Sequence, residues 1–397
     1  MNKIALPESF GRQRTPPELP EEGSASDADA VERLRYNAHR VHEHIDRLYP
    51  CSPAAPDAWS PTHAIAALGP HVRAQVAQRL HHALGDPVRH VVQAGGRRWR
   101  PGLVAETIDL LGGDSDYYGP LIAATEVVHT GSLIVDDVQD ASPLRRGVPS
   151  AHTVYGIATA LTAGTNAYFS IDKAISQTTP DNPLLAGRLR ELLLTTLRSA
   201  HAGQALDVQG HTAEMNDAVA TGEAESVLEL VRLTHRLKSG APVALGLGMA
   251  ALVCGADERL FHRLSAFGEA VGTAYQITDD IADLRGVTHE GVVTKEIAED
   301  ARNGKVTMPL AHAVALLPSK RLHRIWDIVC STDTDRQDIS ELRDTLVGCG
   351  ALNACKEEAD DLLRRAWRDL EPALPCGPGS KALYETARHV VQDSRIA

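Results

Sequence analysis

The chain has 397 residues, 43% of them hydrophobic and only 4% aromatic, and a formal net charge of −12. That charge excludes general nucleic-acid affinity, since a phosphate backbone needs a basic surface, and few aromatics beside abundant Ala, Leu, Val and Arg argue against a β-sandwich or barrel. The length suits one large domain or two ordinary ones, and the expected fold is all-α. The cysteines form no Cys-x-x-Cys pair and read as reduced thiols of a cytoplasmic protein. Met1 to Arg14 lacks the apolar core of a signal peptide. The longest apolar run, Ala241 to Ala256, is short of the roughly 20 residues that span a bilayer, so it reads as a buried helix and no membrane span is expected.

Residues 1–28 include RTPPELPEEGSASDADA, bury too little apolar surface to order themselves, and read as a disordered acidic tail. From Asp29 to Tyr49, Val31, Leu34, Val41, Ile45 and Leu48 share a helical face. With the Pro-rich stretch Pro50 to Pro61, this forms an N-terminal helix and linker (29–61) ahead of a main domain (62–397). A helix over Thr62 to Leu84 is expected to stop at Gly85-Asp86-Pro87. Gly95-Gly96-Arg97-Arg98-Trp99-Arg100-Pro101 follows, where a glycine pair can present backbone amides to an anion. Arg97 and Arg100 share a face if the helix begins there; an anion pocket and a plain basic turn both fit.

Tyr118 to Asp140 reads as an apolar helix running into SLIVDDVQDASPLRRG. Asp136 and Asp140, at i and i+4, crowd like charges on one face at a C-terminal helix end, where the macrodipole also disfavours them. A divalent cation reverses both penalties, and Mg²⁺ takes one or two carboxylates plus phosphate oxygens and water. Arg145 and Arg146 suit bidentate phosphate binding. A Mg²⁺-diphosphate site is one reading; a solvated acidic cluster is the other. Glu126 and His129 are isolated polar residues in this helix, and His129 points to the side of Asp136.

Further helices are expected at Val154–Ile175, Pro183–Gln209, Glu223–Lys238 and Pro242–Val253. Tyr275 to Asp283, capped by Gly286, repeats the first cluster with Asp279 and Asp283. Two such helix ends facing each other across a bundle could chelate several Mg²⁺ ions. A charged loop with Lys295, Asp300 and Lys305 follows, then amphipathic helices from Pro309 to Ala397, interrupted at Pro372 to Gly379.

In this order the motifs resemble the polyprenyl synthetase family, the trans-isoprenyl diphosphate synthases, and geranylgeranyl diphosphate synthases within it, from about Ile65 to Ser394. The resemblance implies an all-α isoprenoid-synthase bundle around a deep cavity, usually a homodimer. GGRRWRP resembles GGKRxRP, which implies that Arg97 and Arg100, with His129, hold isopentenyl diphosphate. DDVQD and LRRG imply Asp136, Asp137 and Asp140 on Mg²⁺, Arg145 on the allylic diphosphate and Arg146 on isopentenyl diphosphate. Gln204 in GQALD, Lys238-Ser239, Gln276, and the later Lys295 and Lys305 match substrate-binding positions, and Asp279 and Asp283 match the second metal motif. Asp136, Asp140, Lys238 and Asp279 carry the chemistry on this reading: an allylic diphosphate ionises, isopentenyl diphosphate attacks the cation, and the departing pyrophosphate takes the proton.

Four positions depart from the family pattern: Arg97 for Lys, Val135 for His, Asn166 for Asp and Ser239 for Thr. Members making short products carry a bulky aromatic where this chain has Gly131, with Val127 and Val128 one turn below, so a C20 (geranylgeranyl) or longer product is expected. The competing readings are a type I terpene cyclase, which needs an Asn/Ser/Glu metal motif not found here, a prenyltransferase with an unusual acceptor, and a non-catalytic regulatory subunit, which should lack an aspartate motif.

Overall fold

The computed structural model describes residues 27–53, 59, 63–289, 292–295, 297–331 and 333–392. Helix α1 (Asp27–Leu48) buries Leu34, Val41, Ile45 and Leu48, the face read from the sequence. It packs on α5 (Trp99–Leu110), α6 (Gly119–Gln139) and the C-terminal α20 (Pro378–Gln392), so it belongs to the same packed body as the helices that follow. The expected tail lies outside the described residues as far as 26. Of the stretch Pro50 to Pro61, residues 50–53 and Trp59 are described, and the Trp59 ring meets Tyr49 at 5.3 Å.

The break expected at Gly85-Asp86-Pro87 is absent. Short α2 (His63–Ala66) gives way at Gly69 to α3 (Pro70–Leu80), which runs through a π-turn (His81–Gly85) straight into α4 (Asp86–Gln93). Pro87 falls in the first turn of α4, beside the wide turn, where a missing N–H is tolerated. The single helix expected over Val154–Ile175 is instead three, α7 (Ala151–Tyr155), α8 (Ile157–Ala167) and α9 (Ser170–Thr178), interrupted at Gly156 and at Tyr168-Phe169.

Helix α10 (Pro183–Gln209) has the expected bounds, with Pro183 at its first position and the Asn182 side chain accepting from the Leu185 N–H. An unexpected α11 (Thr212–Thr221) precedes α12 (Glu225–His235), a second π-turn (Arg236–Gly240), α13 (Ala241–Val253) and the long α14 (Glu258–Arg285). Extended structure among the described residues is limited to two antiparallel hairpins, β1 (Leu144–Arg145) with β2 (Val148–Pro149), and β3 (Val287–His289) with β4 (Val292–Lys295). The second replaces part of the expected charged loop. It leads to α15 (Glu299–Arg302), and then α16 (Met308–Leu316), α17 (Ser319–Cys330), α18 (Arg336–Gly348) and α19 (Ala351–Leu370) complete the bundle before α20.

Two apolar clusters hold the helices. One centres on α13, α14 and the C-terminal helices, the other on α1, α4 to α6 and α8 to α10. The π-turn at 236–240 is clamped between α10 and α14. A side chain on Gly203 would collide with the Lys238 backbone nitrogen, and one on Gly272 with the Ser239 carbonyl. These two contacts fix where Lys238 and Ser239 point.

Candidate active site

A cavity of about 1120 Å³ opens between α5, α6, α10, α13 and α14. One polar end carries Asp136 and Asp140 from the end of α6, Arg145 from β1, Gln204 and Asp207 from α10, Lys238 and Ser239 from the π-turn, Gln276 and Asp279 from α14, and Lys305. Beside it lies a second polar region formed by Gly95 to Arg100, Glu126, His129 and Arg146. Val104, Val128, Ile171, Leu197 and Leu245 line apolar wall beyond both.

Two lysines tie the first end together. Lys238 Nζ donates to Asp136 Oδ1 at 3.1 Å and Asp207 Oδ2 at 2.8 Å. Lys305 Nζ donates to Asp140 Oδ2 at 2.8 Å and Asp207 Oδ2 at 3.3 Å. Gln204 Nε2 donates to the same Asp136 oxygen at 2.9 Å. Burial pushes the Asp136 carboxyl up, but Lys238, Arg145 and Lys305 outweigh it and bring it down to about 2. Asp140 moves up, through burial and the charge of Asp136. Ser239 Oγ donates to Gln276 Oε1 at 2.6 Å, which orients the Gln276 amide.

Two of the expected metal ligands face elsewhere. Asp137 is 0% exposed and does not line the cavity. As the helical neighbour of Asp136 it is turned about 100° away, and its Oδ1 accepts from Arg145 Nε at 2.8 Å and from Nη2 as well. Asp283 is 1% exposed and also absent from the cavity wall. The chain turning at Gly286 comes back over it, so its carboxylate accepts from the Asp300 N–H at 3.3 Å and its carbonyl from the Ala298 N–H at 2.8 Å. Lys295 lies in β4, and its side chain is outside the described residues.

In the second region Arg98, with φ 49°, caps α5, so the helix starts at Trp99 and Arg97 stays in the loop. Arg97 and Arg100 therefore do not share a helical face as expected, yet both line the cavity. The Arg100 guanidinium lies 4.3 Å from the Trp99 ring centre and 5.3 Å from that of Tyr275. Arg100 Nη1 is 3.3 Å from His129 Nε2. A guanidinium can only donate, so His129 accepts as a neutral imidazole; burial and the charges of Arg100, Arg146 and Arg145 hold its pKa well below the ordinary range. Arg146 donates to the carbonyls of Gly95 and Val91 and faces Glu126 at 3.7 Å. Its guanidinium occupies the space of a side chain at Gly96, where a Cβ would come within 2.6 Å of Arg146 Cζ.

Of the three residues expected to set product length, only Val128 lines the cavity. Val127 is 0% exposed in the core. Gly131 faces α8, where a Cβ would meet the Gly164 carbonyl oxygen at 2.5 Å, so its small size serves helix packing instead of cavity space. Sequence reasoning left Asp207, Glu126, Asp280, Tyr275 and Tyr168 out of the site, although all five line it. Asp207 was findable, since it stands three residues after Gln204 on a helix and so shares its face.

The donor set suits a hard cation. Asp136, Asp140 and Asp279 offer oxygen only, and among the described residues no three His, Cys, Asp or Glu side chains converge as a cage. Mg²⁺ is commonly held in that way, by one or two carboxylates with phosphate oxygens completing its shell.

The family model for polyprenyl synthetase matches residues 81–346. The chain is 35% identical over 235 residues to the farnesyl diphosphate synthase of Geobacillus stearothermophilus, covering 58% of this chain and 76% of that one. It is 30% identical over 290 residues to the geranylfarnesyl diphosphate synthase of Aeropyrum pernix, covering 72% and 86%. The crystal structure of geranylgeranyl pyrophosphate synthetase from Pyrococcus horikoshii superposes with a TM-score of 0.72 at 25% identity, covering 92% of this chain and 98% of that one.

Proposed function

The chain belongs to the polyprenyl synthetase family and is a prenyltransferase, and from that premise we propose that it condenses isopentenyl diphosphate with an allylic diphosphate to give a C20 (geranylgeranyl) or longer product. The observation that carries this reading is that one cavity joins two separate anion-binding ends and an apolar wall. The carboxylate-lysine end takes the allylic diphosphate. Asp136, Asp140 and Asp279 would hold Mg²⁺ there, and the ion would supply charge neutralisation to the leaving diphosphate.

Lys238, Lys305 and Arg145, which stand against Asp136, Asp207, Asp140 and Asp137, would bind the phosphate oxygens. Gln204 keeps Asp136 oriented, and Gln276 is held by Ser239 at the same end. Arg97, Arg100 and Arg146 bind the diphosphate of isopentenyl diphosphate, with neutral His129 buttressing Arg100. The apolar wall excludes water that would quench an allylic cation. No side chain is needed as a strong base, because the released pyrophosphate can itself accept the proton to be lost.

Product length rests on the aliphatic lining at Val104, Val128, Ile171, Leu197 and Leu245. The same reading makes the protein a cytoplasmic homodimer. Among the described residues no helix is long and apolar enough to cross a membrane.

The test is to incubate purified protein with Mg²⁺, isopentenyl diphosphate and each of the C5, C10 and C15 allylic diphosphates, then size the dephosphorylated products. Elongation to C20 or beyond is expected. No elongation with any partner would overturn the activity, and a product ending at C15 would overturn the length.

A further inference from the structure

Arg35 lies on α1, ahead of the segment that matches the family. The cavity nonetheless counts it in its wall, beside Gly95 to Arg98. We propose that Arg35 binds the diphosphate of isopentenyl diphosphate together with Arg97 and Arg100, so that the N-terminal helix completes this subsite. The inference rests on the assignment of the two diphosphates made above.

The placement follows from how α1 is docked. A Cβ on Gly102, in the second turn of α5, would stand 3.3 Å from Leu34 Cδ2 and 3.7 Å from Asn37 Cβ, so α1 presses on the start of α5. Arg98 Nη1 donates to the Ala38 carbonyl at 3.1 Å, fastening the basic loop to the same face of α1. Residues 34, 37 and 38 make that face, and Arg35, about 100° round from Leu34, comes out at its edge. The helix is anchored on either side, with Arg33 donating to the Ala382 carbonyl and Arg40 to Asp116. Arg35 is therefore presented from a fixed element.

The other guanidiniums nearby are largely engaged. Arg98 is used on the Ala38 and Val92 carbonyls, and Arg146 on those of Gly95 and Val91 and on Glu126. Arg100 is stacked against Trp99 and bonded to His129. Arg35 is exposed and makes no hydrogen bond or ion pair with the described residues, so none of its donors is spent on them and its fork can meet an anion in the cavity.

The experiment compares wild type with Arg35→Gln and Arg35→Lys. Arg35→Gln should raise KM for isopentenyl diphosphate by about tenfold or more, as loss of a charge-assisted bond does, with kcat and the allylic KM within about twofold. Arg35→Lys should recover part of the loss. Calorimetric titration with inorganic pyrophosphate in the absence of metal should show the same weakening at one site. This arm reports on Arg35 even if wild type proves unable to condense the two substrates, an outcome that would sink the proposed activity separately. An unchanged isopentenyl diphosphate KM with unchanged pyrophosphate binding overturns the proposal, as does an equal rise in both KM values, which would mark a diffuse field effect.

Discussion

A Cβ atom on Gly131 would stand 2.5 Å from the carbonyl oxygen of Gly164 and 2.8 Å from Ala167 Cβ. Helices α6 and α8 therefore touch backbone to backbone at this point, with no side chain between them. Gly131→Ala should cost about 1–3 kcal/mol, as overpacking of a filled core does. Urea unfolding measures this. A variant as stable as wild type would show that α8 yields, and would return Gly131 to the list of residues that could govern cavity space.

Of the three α6 residues expected to set product length, Val128 is the one placed to act on it. It lines the cavity and lies eight residues, or about 12 Å along the helix axis, before Asp136. Val128→Phe should move the product distribution toward shorter chains while total isopentenyl incorporation persists. Val127→Phe, one residue away in a fully buried position, should instead destabilise the protein. Radiolabelled product sizing of both variants separates the two, and identical distributions for Val128→Phe and wild type would exclude this wall from chain-length control.

What was legible in the sequence was whatever depends on near neighbours. The bounds of α10 follow from Pro183 and Gly210, and the end of α14 from Gly286. The first aspartate pair was legible because its spacing alone puts Asp136 and Asp140 on one face. The same periodicity turns Asp137 about 100° from that face, toward Arg145. Asp283 was not legible, because the segment that covers it returns from Ala298 to Asp300, beyond a hairpin. Nor was the meeting of Lys238 and Lys305 on one Asp207 oxygen, which joins three segments distant in sequence. A glycine can mean open space or tight contact, and at Gly131 sequence cannot separate these.

Asp137 tests the correction to the metal set. Burial raises its pKa, and Arg145 opposes that rise. Asp137→Asn keeps the shape but removes the charge that holds the Arg145 guanidinium. The allylic diphosphate KM should rise by about tenfold, as expected for losing a charge-assisted contact. The Mg²⁺ concentration for half-maximal rate should stay near that of wild type. Asp136→Ala, by contrast, should abolish turnover while the protein remains folded by circular dichroism. A Mg²⁺ requirement raised strongly by Asp137→Asn would restore Asp137 as a ligand.

Glu106 makes stability depend on pH at a place far from the chemistry. It sits on α5, with Arg33 Nε at 3.8 Å and Thr386 Oγ1 donating to it at 3.2 Å, so it links α1, α5 and α20. Burial pushes its carboxyl from the ordinary 4.5 up to about 7, against the pull of Arg33 and Thr386. The folded protein therefore binds this proton more tightly than the unfolded chain does. The stability it contributes is fully present below about pH 4.5 and is lost as pH rises through about 7. The change is on the order of 3 kcal/mol. Other carboxylates run the opposite way, since Asp136 and Glu358 are both lowered to about 2 and lose their contribution only in strong acid. The difference between Glu106→Gln and wild type isolates the one group from this background. Relative to wild type, the variant should gain stability between pH 5 and pH 8, read as diverging urea midpoints. Parallel profiles would mean that Glu106 ionises normally and that Arg33 fully compensates its burial.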